Sequence, residues 1–281
     1  MKSLYKKIKA FTLAEILIAL TVIGLVSALT IPNLSRNMQA AQSKTAFKKT
    51  LAEINTAIAD FTANEGKNLA QVGTNGEIQA MFENYMGAKA VPGTSRWPVV
   101  VNLKRPQYSA STTAAVNNLS NTTNIVSKVL DGTSSGNTEL GNYTYYMLPS
   151  NVGLIVPAAT DSNYLLVSCG SPRLLLDTNP IYISQANNAC LIFIDTNGRK
   201  GPNQQIMGVT STSGDVDACA KIVVPEEDYM LQAGTGSNAK YCELTDDAVT
   251  DIYPVVLYND RAYPATVAGY WVLNDLIGQD L

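Results

Sequence analysis

The sequence predicts an α+β fold in which one long N-terminal helix packs on an antiparallel β-sheet. An apolar run covers residues 11–31, and a stretch with helical periodicity follows it up to about Gly66. Further along, short β-prone segments alternate with Gly, Pro, Asn and Asp, as they do in antiparallel sheets. We therefore divide the chain into a basic leader, residues 1–10, a hydrophobic-then-amphipathic helix, residues 11–64, and a globular α+β region, residues 65–281.

The second half of the predicted helix carries one apolar stripe. Its members recur at helical spacing and are Phe47, Leu51, Ile54, Ile58 and Phe61. We expect this stripe to pack against the globular region. Pro32 lacks a backbone N–H, so we expect the helix to bend or melt locally there. Gly66 is a typical helix stop.

Later elements are shorter. A second helix is predicted over residues 69–86, where Ile78, Met81, Phe82 and Tyr85 have helical spacing. Strands are predicted over residues 96–103, 142–148, 152–156, 164–169, 173–176 and 190–195. Residues 109–127 and 133–142 have little charge and much Ser, Thr and Asn, which is typical of exposed loops.

Glu15 interrupts the apolar run of residues 11–31. That run is long enough to span a bilayer as a helix, and the lysines before it favour a cytoplasmic N-terminal end. A carboxylate facing lipid costs about 2.5–3.5 kcal/mol on insertion scales, so Glu15 is expected to have a partner and a function.

The N-terminal register has four matching features: the basic leader, Phe11, Glu15 and Pro32. Together they resemble the class III signal of type IV pilins and type II secretion pseudopilins. The resemblance implies that a prepilin peptidase cuts between Ala10 and Phe11 and methylates the new amine, with Ala10 standing where the family usually has glycine. Glu15 would then meet the Phe11 amine of a neighbouring subunit and set the assembly register, because a buried ion pair penalises misassembly.

This resemblance implies a structural subunit rather than an enzyme. The large globular region of the chain favours a minor pilin or pseudopilin of a type IV pilus or type II secretion-type filament. Its partners would be the peptidase, other pilin subunits, the inner-membrane assembly platform and lipid. It would cross the cytoplasmic membrane once, with the globular region outside, and later join a periplasmic or surface filament. The alternative is a membrane-anchored binding or adhesion domain that does not polymerise.

Two other fates of the N-terminus stay open. Val26, Ser27 and Ala28 form a small-residue site at which ordinary signal peptidase would release a protein starting at Leu29. An uncleaved single-pass anchor is the other. The length of the apolar region and the early Glu15 argue against the first of these.

Composition excludes several functions. The chain has no histidine, so catalysis by Ser-His-Asp or Cys-His sets and metal sites that include histidine are excluded. Losing the four leader lysines from 20 basic residues, against 23 acidic ones, takes the net charge from −3 to −7. Bulk charge therefore gives no reason to expect a nucleic-acid partner.

The four cysteines are Cys169, Cys190, Cys219 and Cys242. An even count outside the cytoplasm predicts two disulfides, and we favour Cys169–Cys190 and Cys219–Cys242 among the three connectivities. Free buried thiols remain the alternative. A tetrathiolate zinc site is disfavoured because no Cys-x-x-Cys pair is present.

Asp195 and Asn197 begin an Asp-x-Asn-Gly segment directly after an apolar strand. Alternating oxygens of this kind open calcium loops, and Asp215 and Asp217 are candidates to complete one. Calcium is the only cofactor we consider. A tight turn at Asn197-Gly198 explains the same residues without a metal.

Three other sequence patterns give weaker indications of function. A Gly-x-Ser-x-Gly match around Ser134 has no strand before it and no histidine to activate the serine. The glycines at 234 and 236 lack the βαβ setting of a dinucleotide site. The tyrosines along residues 143–146 are typical of sheet contacts, with ligand binding as the alternative.

Overall fold

A computed structural model describes residues 12–72, 74–92, 99–104, 125–130, 143–158, 189–198, 200–205, 249–258 and 260–274. Its internal contacts divide the chain into Met1–Gln39, here the N-terminal unit, and Ala40–Leu281, here the C-terminal unit.

The elements follow one another as helices at both ends of a strand-rich region. They are α1 Leu13–Glu65, a short 3-10 helix Leu69–Gln71, α2 Asn75–Met86, β1 Lys89–Ala90, β2 Val99–Lys104, β3 Ile125–Leu130, β4 Tyr143–Met147, β5 Gly153–Pro157, β6 Ala189–Asp195, β7 Ile252–Tyr258, β8 Arg261–Pro264 and α3 Val267–Leu273. The predicted α+β class is confirmed, because a long helix precedes an antiparallel six-stranded sheet.

Helix α1 covers nearly the whole predicted range of residues 11–64. Its helical conformation continues through Pro32, so the chain does not melt there. The helix ends where Gly66 takes a left-handed conformation, with φ of 67°, and its N–H donates to the Thr62 carbonyl at 3.1 Å. Glycine suits this end because it adopts positive φ without a Cβ clash.

The predicted stripe of the C-terminal unit is buried. Phe47, Leu51, Ile54, Ile58 and Phe61 are each at most 4% exposed and join one hydrophobic core. Fully burying side chains of this kind stabilises a fold by about 1.5–3 kcal/mol each. The stripe is therefore what attaches this half of α1 to the rest of its unit.

The main sheet has the strand order β1-β4-β5-β6-β7-β8, and all of its pairs are antiparallel. Alternate residues on one face join the α1 core, and the register aligns Tyr146, Leu154, Ile194 and Tyr253 across four strands. The helix stripe and the sheet alternation thus meet in a single core, as their 3.6- and 2-residue periods require.

The two shorter helices have conventional ends. The Thr74 hydroxyl accepts the Glu77 N–H at 3.3 Å at the start of α2, and Gly87 ends that helix with φ of 63°. The Thr266 hydroxyl likewise accepts the Gly269 N–H at 3.3 Å at the start of α3. Each side chain satisfies an N–H that has no partner within its helix.

Strands β2 and β3 form a separate two-stranded sheet, with Val99 opposite Leu130 and Lys104 opposite Ile125. The strand predicted at residues 96–103 is confirmed over 99–103. The loop predicted at residues 109–127 is wrong over 125–127, which belong to β3. The β-branched pair Ile125-Val126 favours a strand. The prediction of a loop followed instead from the low charge and the Ser, Thr and Asn content of the residues before it.

The strands predicted over residues 142–148, 152–156 and 190–195 correspond to β4, β5 and β6. The strands predicted over residues 164–169 and 173–176 lie outside the described residues. The loop predicted over residues 133–142 also lies outside them. The sequence did not predict β7, β8 or α3.

Candidate functional site

The first turn of α1 is closed by Thr12 and Glu15. The Glu15 Oε2 atom accepts the Thr12 backbone N–H at 2.8 Å and the Thr12 hydroxyl at 2.9 Å. The Thr12 Oγ1 atom in turn accepts the Glu15 N–H at 3.3 Å. This reciprocal pair is a capping box, in which two backbone donors at the helix start are satisfied by side chains.

The carboxylate predicted to mediate assembly thus has an intramolecular partner in the single chain. The signal for it was readable, because Thr-x-x-Glu before an apolar run is the sequence pattern of a capping box. Sequence reasoning about Glu15 considered only a neighbouring subunit and missed this contact. The capping box holds the charged oxygen at the helix start, next to the predicted cleavage point.

The N-terminal unit exposes its apolar side chains all round. The large hydrophobic residues at least 46% exposed are Leu13, Ile16, Leu17, Ile18, Leu20, Val22, Ile23, Leu25, Val26, Leu29, Ile31, Leu34 and Met38. A helix that is hydrophobic on every side needs an apolar environment, from lipid or from other helices. By length and composition alone this segment is able to cross a membrane, a test that a signal sequence also passes.

Two threonine hydroxyls within this segment are satisfied by the helix itself. The Thr21 hydroxyl donates to the Leu17 carbonyl at 2.7 Å, and the Thr30 hydroxyl donates to the Val26 carbonyl at 2.9 Å. In hydrocarbon an unsatisfied polar group costs several kcal/mol, so these contacts make both threonines compatible with a bilayer. Glu15 is the only ionised side chain between Thr12 and Ile31.

Of the four predicted N-terminal site residues, the structure describes Glu15 and Pro32. Pro32 is exposed inside α1. Ala10 and Phe11, the predicted processing site, lie outside the described residues. Their roles, and the pairing of Glu15 with a neighbouring amine, stay predictions.

Comparison with known proteins supports the N-terminal interpretation. Residues 5–31 match the family described as the prokaryotic N-terminal methylation motif, which is the prepilin signal of type IV pilins and pseudopilins. No curated protein and no solved structure matches the chain significantly. The motif and the exposed apolar helix suit a membrane-anchored subunit of the pilin-like class.

The loop after β6 contains the predicted calcium residues Asp195 and Asn197. Asp195 is fully buried, and its Oδ1 atom accepts the Asn197 N–H at 3.3 Å. Its carbonyl accepts the Gly198 N–H at 3.4 Å, and Gly198 has φ of 65°. Residues 196–198 therefore form the tight turn that the sequence offered as an alternative. Asp215 and Asp217 lie outside the described residues.

Asp251 organises the end of this loop, and sequence reasoning missed it. Its two carboxylate oxygens accept the Asn203 N–H at 2.8 Å and the Gln204 N–H at 2.9 Å. Its carbonyl accepts the Thr196 N–H at 2.9 Å. One buried aspartate thus joins the start of β7 to both ends of the loop. No local pattern in the sequence points to it, because its partners lie about 50 positions away.

Ser43 connects α1 to the same region of the C-terminal unit. Its hydroxyl donates to the Thr250 carbonyl at 2.7 Å and lies 2.7 Å from the Thr196 Oγ1 atom. It also lies 3.4 Å from the Tyr253 hydroxyl, whose ring stacks on Phe47 with 4.1 Å between centroids. Burial raises the pKa of Tyr253, and the Asp251 charge raises it further, while the Ser43 contact lowers it.

Among the cysteines, Cys190 lies in β6 opposite Leu257, and the other three lie outside the described residues. The two disulfides therefore stay predictions. Among the residues that the structure describes, no group of three Cys, Asp or Glu side chains is close enough to hold a metal ion.

Proposed function

We propose that this protein is a structural subunit, a minor pilin or pseudopilin, that is anchored in the cytoplasmic membrane and then joins a type IV pilus or type II secretion-type filament. The observation that carries this proposal is the apolar helix of the N-terminal unit, exposed on every side and interrupted only by Glu15. A bilayer covers such a surface before assembly, and the helices of other subunits cover it afterwards. The prepilin motif over residues 5–31 supports the same route.

In this proposal Glu15 has two successive partners. Before assembly the capping box with Thr12 satisfies the carboxylate at the helix start. After cleavage between Ala10 and Phe11, the new amine of a neighbouring chain offers a cationic partner, so both sides of the contact are then charged, whereas only the acceptor is charged in the capping box. The exchange links processing to register, because an uncleaved chain has no α-amine at Phe11 to offer.

The proposal is tested by processing and by one isosteric substitution. Protein purified from its native membrane should begin at N-methylated Phe11 by mass and N-terminal sequencing. Glu15→Gln keeps an oxygen that accepts the Thr12 N–H but removes the charge, so it should be processed and inserted yet fail to enter filaments. Thr12→Ser retains the capping box and serves as the matched control.

Four results would overturn this proposal. A chain that starts at Leu29 would leave no anchor, and an intact Met1 in mature protein would leave no α-amine at Phe11 for assembly. Normal filament incorporation of Glu15→Gln would show that the carboxylate does not set the register. A protein that stays in the membrane and never polymerises would instead be an anchored binding or adhesion domain.

Calcium binding at the loop after β6 is a separate proposal. Two amide oxygens of this loop, Asn197 Oδ1 and Asn203 Oδ1, are buried and have no hydrogen-bond partner among the residues that the structure describes. Amide and carboxylate oxygens are the ligands that Ca²⁺ prefers, so Asp195, Asn197 and Asn203 fit the ion, with Asp215 and Asp217 as further candidates. A bound ion would neutralise the buried Asp195 charge and stiffen the loop.

Thermal unfolding of the full chain in detergent tests the calcium proposal. Added Ca²⁺, compared with EDTA or Mg²⁺, should raise the midpoint, since at a hundred times the dissociation constant a ligand stabilises by about 2.7 kcal/mol. Asp195→Asn should remove the shift, and Asp260→Asn, at an exposed position far along the chain, should retain it. An equal midpoint with and without Ca²⁺ would refute the site.

A further inference from the structure

A groove of about 320 Å³ lies in the C-terminal unit between the second half of α1, the end of α2 and the turn after β4. Helix α1 contributes Glu53, Thr56, Ala57 and Asp60 to the lining. The rest of the lining is Tyr85, Met86, Leu148, Pro149 and Ser150. We refer to it as the α1–α2 groove.

Every charge at the α1–α2 groove is negative. Its lining includes the carboxylates of Glu53 and Asp60 and no basic residue. Asp60 is exposed and forms no ion pair within the described part of the chain. The C-terminal end of α2, which has no basic residue in its last turn, adds the partial negative charge of a helix end.

The charge on Glu53 is only weakly compensated. Lys49 Nζ lies 3.7 Å from Glu53 Oε1, and the two side chains are 67% and 40% exposed. Such surface pairs at i,i+4 spacing are weak and are readily exchanged for another partner. The negative charge of the groove is therefore only weakly compensated, and a further cationic group would be attracted to it.

The floor of the groove is apolar. Ala57 and Leu148 are buried there, and Met86 is half-buried beside them. An apolar floor beneath two carboxylates matches a lysine or arginine side chain, whose alkyl stem covers hydrophobic surface while its charged end stays near solvent. A bare metal ion would gain nothing from that floor.

Helix α1 itself carries the complementary charge. Within the C-terminal unit its basic residues are Lys44, Lys48 and Lys49, and its acidic residues, Glu53, Asp60 and Glu65, all follow them. The sign therefore changes once along the helix. Two parallel copies in the same register would place like charges side by side, whereas a displacement along the axis pairs the basic segment of one with the acidic groove of the other.

We propose that the α1–α2 groove receives lysine side chains from the segment Lys44, Lys48 and Lys49 of a second copy of this chain. The inference rests on the proposed filament, since anchoring by the same N-terminal segment is what makes the copies parallel. At 1.5 Å per residue, matching Lys49 or Lys44 with Glu53 or Asp60 requires an axial displacement of about 6–24 Å.

This contact uses two different segments of each copy, the basic segment and the groove further along α1. A heterologous contact of this kind does not close on itself, so every added subunit presents a new groove and a new basic segment. Open-ended assembly follows from it, whereas a symmetric dimer does not. The groove would therefore select the displaced arrangement of neighbouring subunits and reject the in-register one.

Zero-length cross-linking tests this directly. Full-length protein made with ¹⁴N and with ¹⁵N is mixed in one membrane, assembled, and treated with a carbodiimide, which joins a carboxylate and a nearby amine through an amide bond. Mass spectrometry then separates mixed-isotope links between copies from links within a copy. We expect mixed-isotope links from Lys44, Lys48 or Lys49 to Glu53 or Asp60.

Other cross-link patterns overturn the inference. Mixed-isotope links confined to other carboxylates would exclude the groove and leave the filament proposal standing. A processed sample with no mixed-isotope link at all would count against both. The two proposals are thus distinguished by whether copies touch elsewhere.

A charge exchange supplies an independent readout. Glu53→Lys combined with Asp60→Lys should lower filament yield at least tenfold, and Lys44→Glu combined with Lys48→Glu and Lys49→Glu should lower it as well. Mixing these two variants should restore assembly, because the reversed groove then meets a reversed basic segment. Asp260→Lys is the control at an exposed site outside the groove, and unchanged thermal unfolding establishes folding. Failure of the mixture to recover, with both variants folded, would refute the pairing.

Discussion

The side-chain amide of Asn55 pairs with both backbone groups of Ala262. Asn55 Oδ1 accepts the Ala262 N–H at 2.6 Å, and Asn55 Nδ2 donates to the Ala262 carbonyl at 3.3 Å. Ala262 lies in β8, an outer strand of the main sheet. Helix α1 thus covers backbone groups that would otherwise be available to pair with a strand from another molecule.

Asn55→Ala should therefore destabilise the C-terminal unit and expose an edge. The lost contacts predict a decrease of about 1–3 kcal/mol in the free energy of unfolding, since two backbone groups lose their partner. Urea unfolding in detergent measures it, and light scattering should show more aggregation. Asn64→Ala, at an exposed position of the same helix, should change neither; equal behaviour of the two variants would contradict the role of Asn55.

The capping box predicts a local effect at the start of α1. Thr12→Ala removes the oxygen that accepts the Glu15 N–H, which typically costs about 1 kcal/mol of helix stability. Amide hydrogen exchange at Glu15 should accelerate, while exchange beyond the first turns stays unchanged. Thr21→Ala, which removes a hydroxyl bonded within the helix, should leave the Glu15 amide protected. Equal protection in both variants would argue against the box.

Alanine substitutions at Gly66 and Gly198 compare the cost of backbone strain alone with the cost of strain plus a steric clash. A Cβ at Gly198 would lie 2.7 Å from the Asn151 carbonyl oxygen, and the residue also has φ of 65°. At Gly66, where φ is 67°, a Cβ would meet nothing within 4 Å. Gly66→Ala should cost about 1–2 kcal/mol from the left-handed conformation alone, and Gly198→Ala should cost more. Denaturant midpoints decide, and a smaller loss at Gly198 would contradict the packing of the turn.

Tyr253 should make the free energy of unfolding decrease at alkaline pH. Burial raises its pKa above the ordinary value of about 10, so the folded state favours the protonated phenol. Its contribution is complete below pH 10 and is lost as the pH rises above that value, because the unfolded state then releases the proton more readily. Urea midpoints between pH 8 and 11.5 should fall less steeply for Tyr253→Phe than for the wild-type chain. Parallel curves would contradict the prediction.

The sequence by itself determined the elements whose signals are local. The apolar run, the stripe from Phe47 to Phe61 and the Gly66 stop follow from spacing along one helix, and all three are present in the structure. The N-terminal methylation motif is equally local, because it lies in one continuous stretch, residues 5–31. Strands β4, β5 and β6 were recognised by their runs of apolar and aromatic residues.

Tertiary structure alone decided the remainder. Strand β7 contains Pro254, and a proline argues against a strand because it has no backbone N–H to donate. In the sheet Pro254 lies beyond the last residue that pairs with β8. Its carbonyl accepts the Ala265 N–H at 2.9 Å, and no N–H of residue 254 is needed for the pairing with β8. The pairing of Asn55 with Ala262, the loop contacts of Asp251 and the α1–α2 groove join residues distant in sequence. Such contacts exist only once the core has brought the helix and the sheet together, and no period along the chain encodes them.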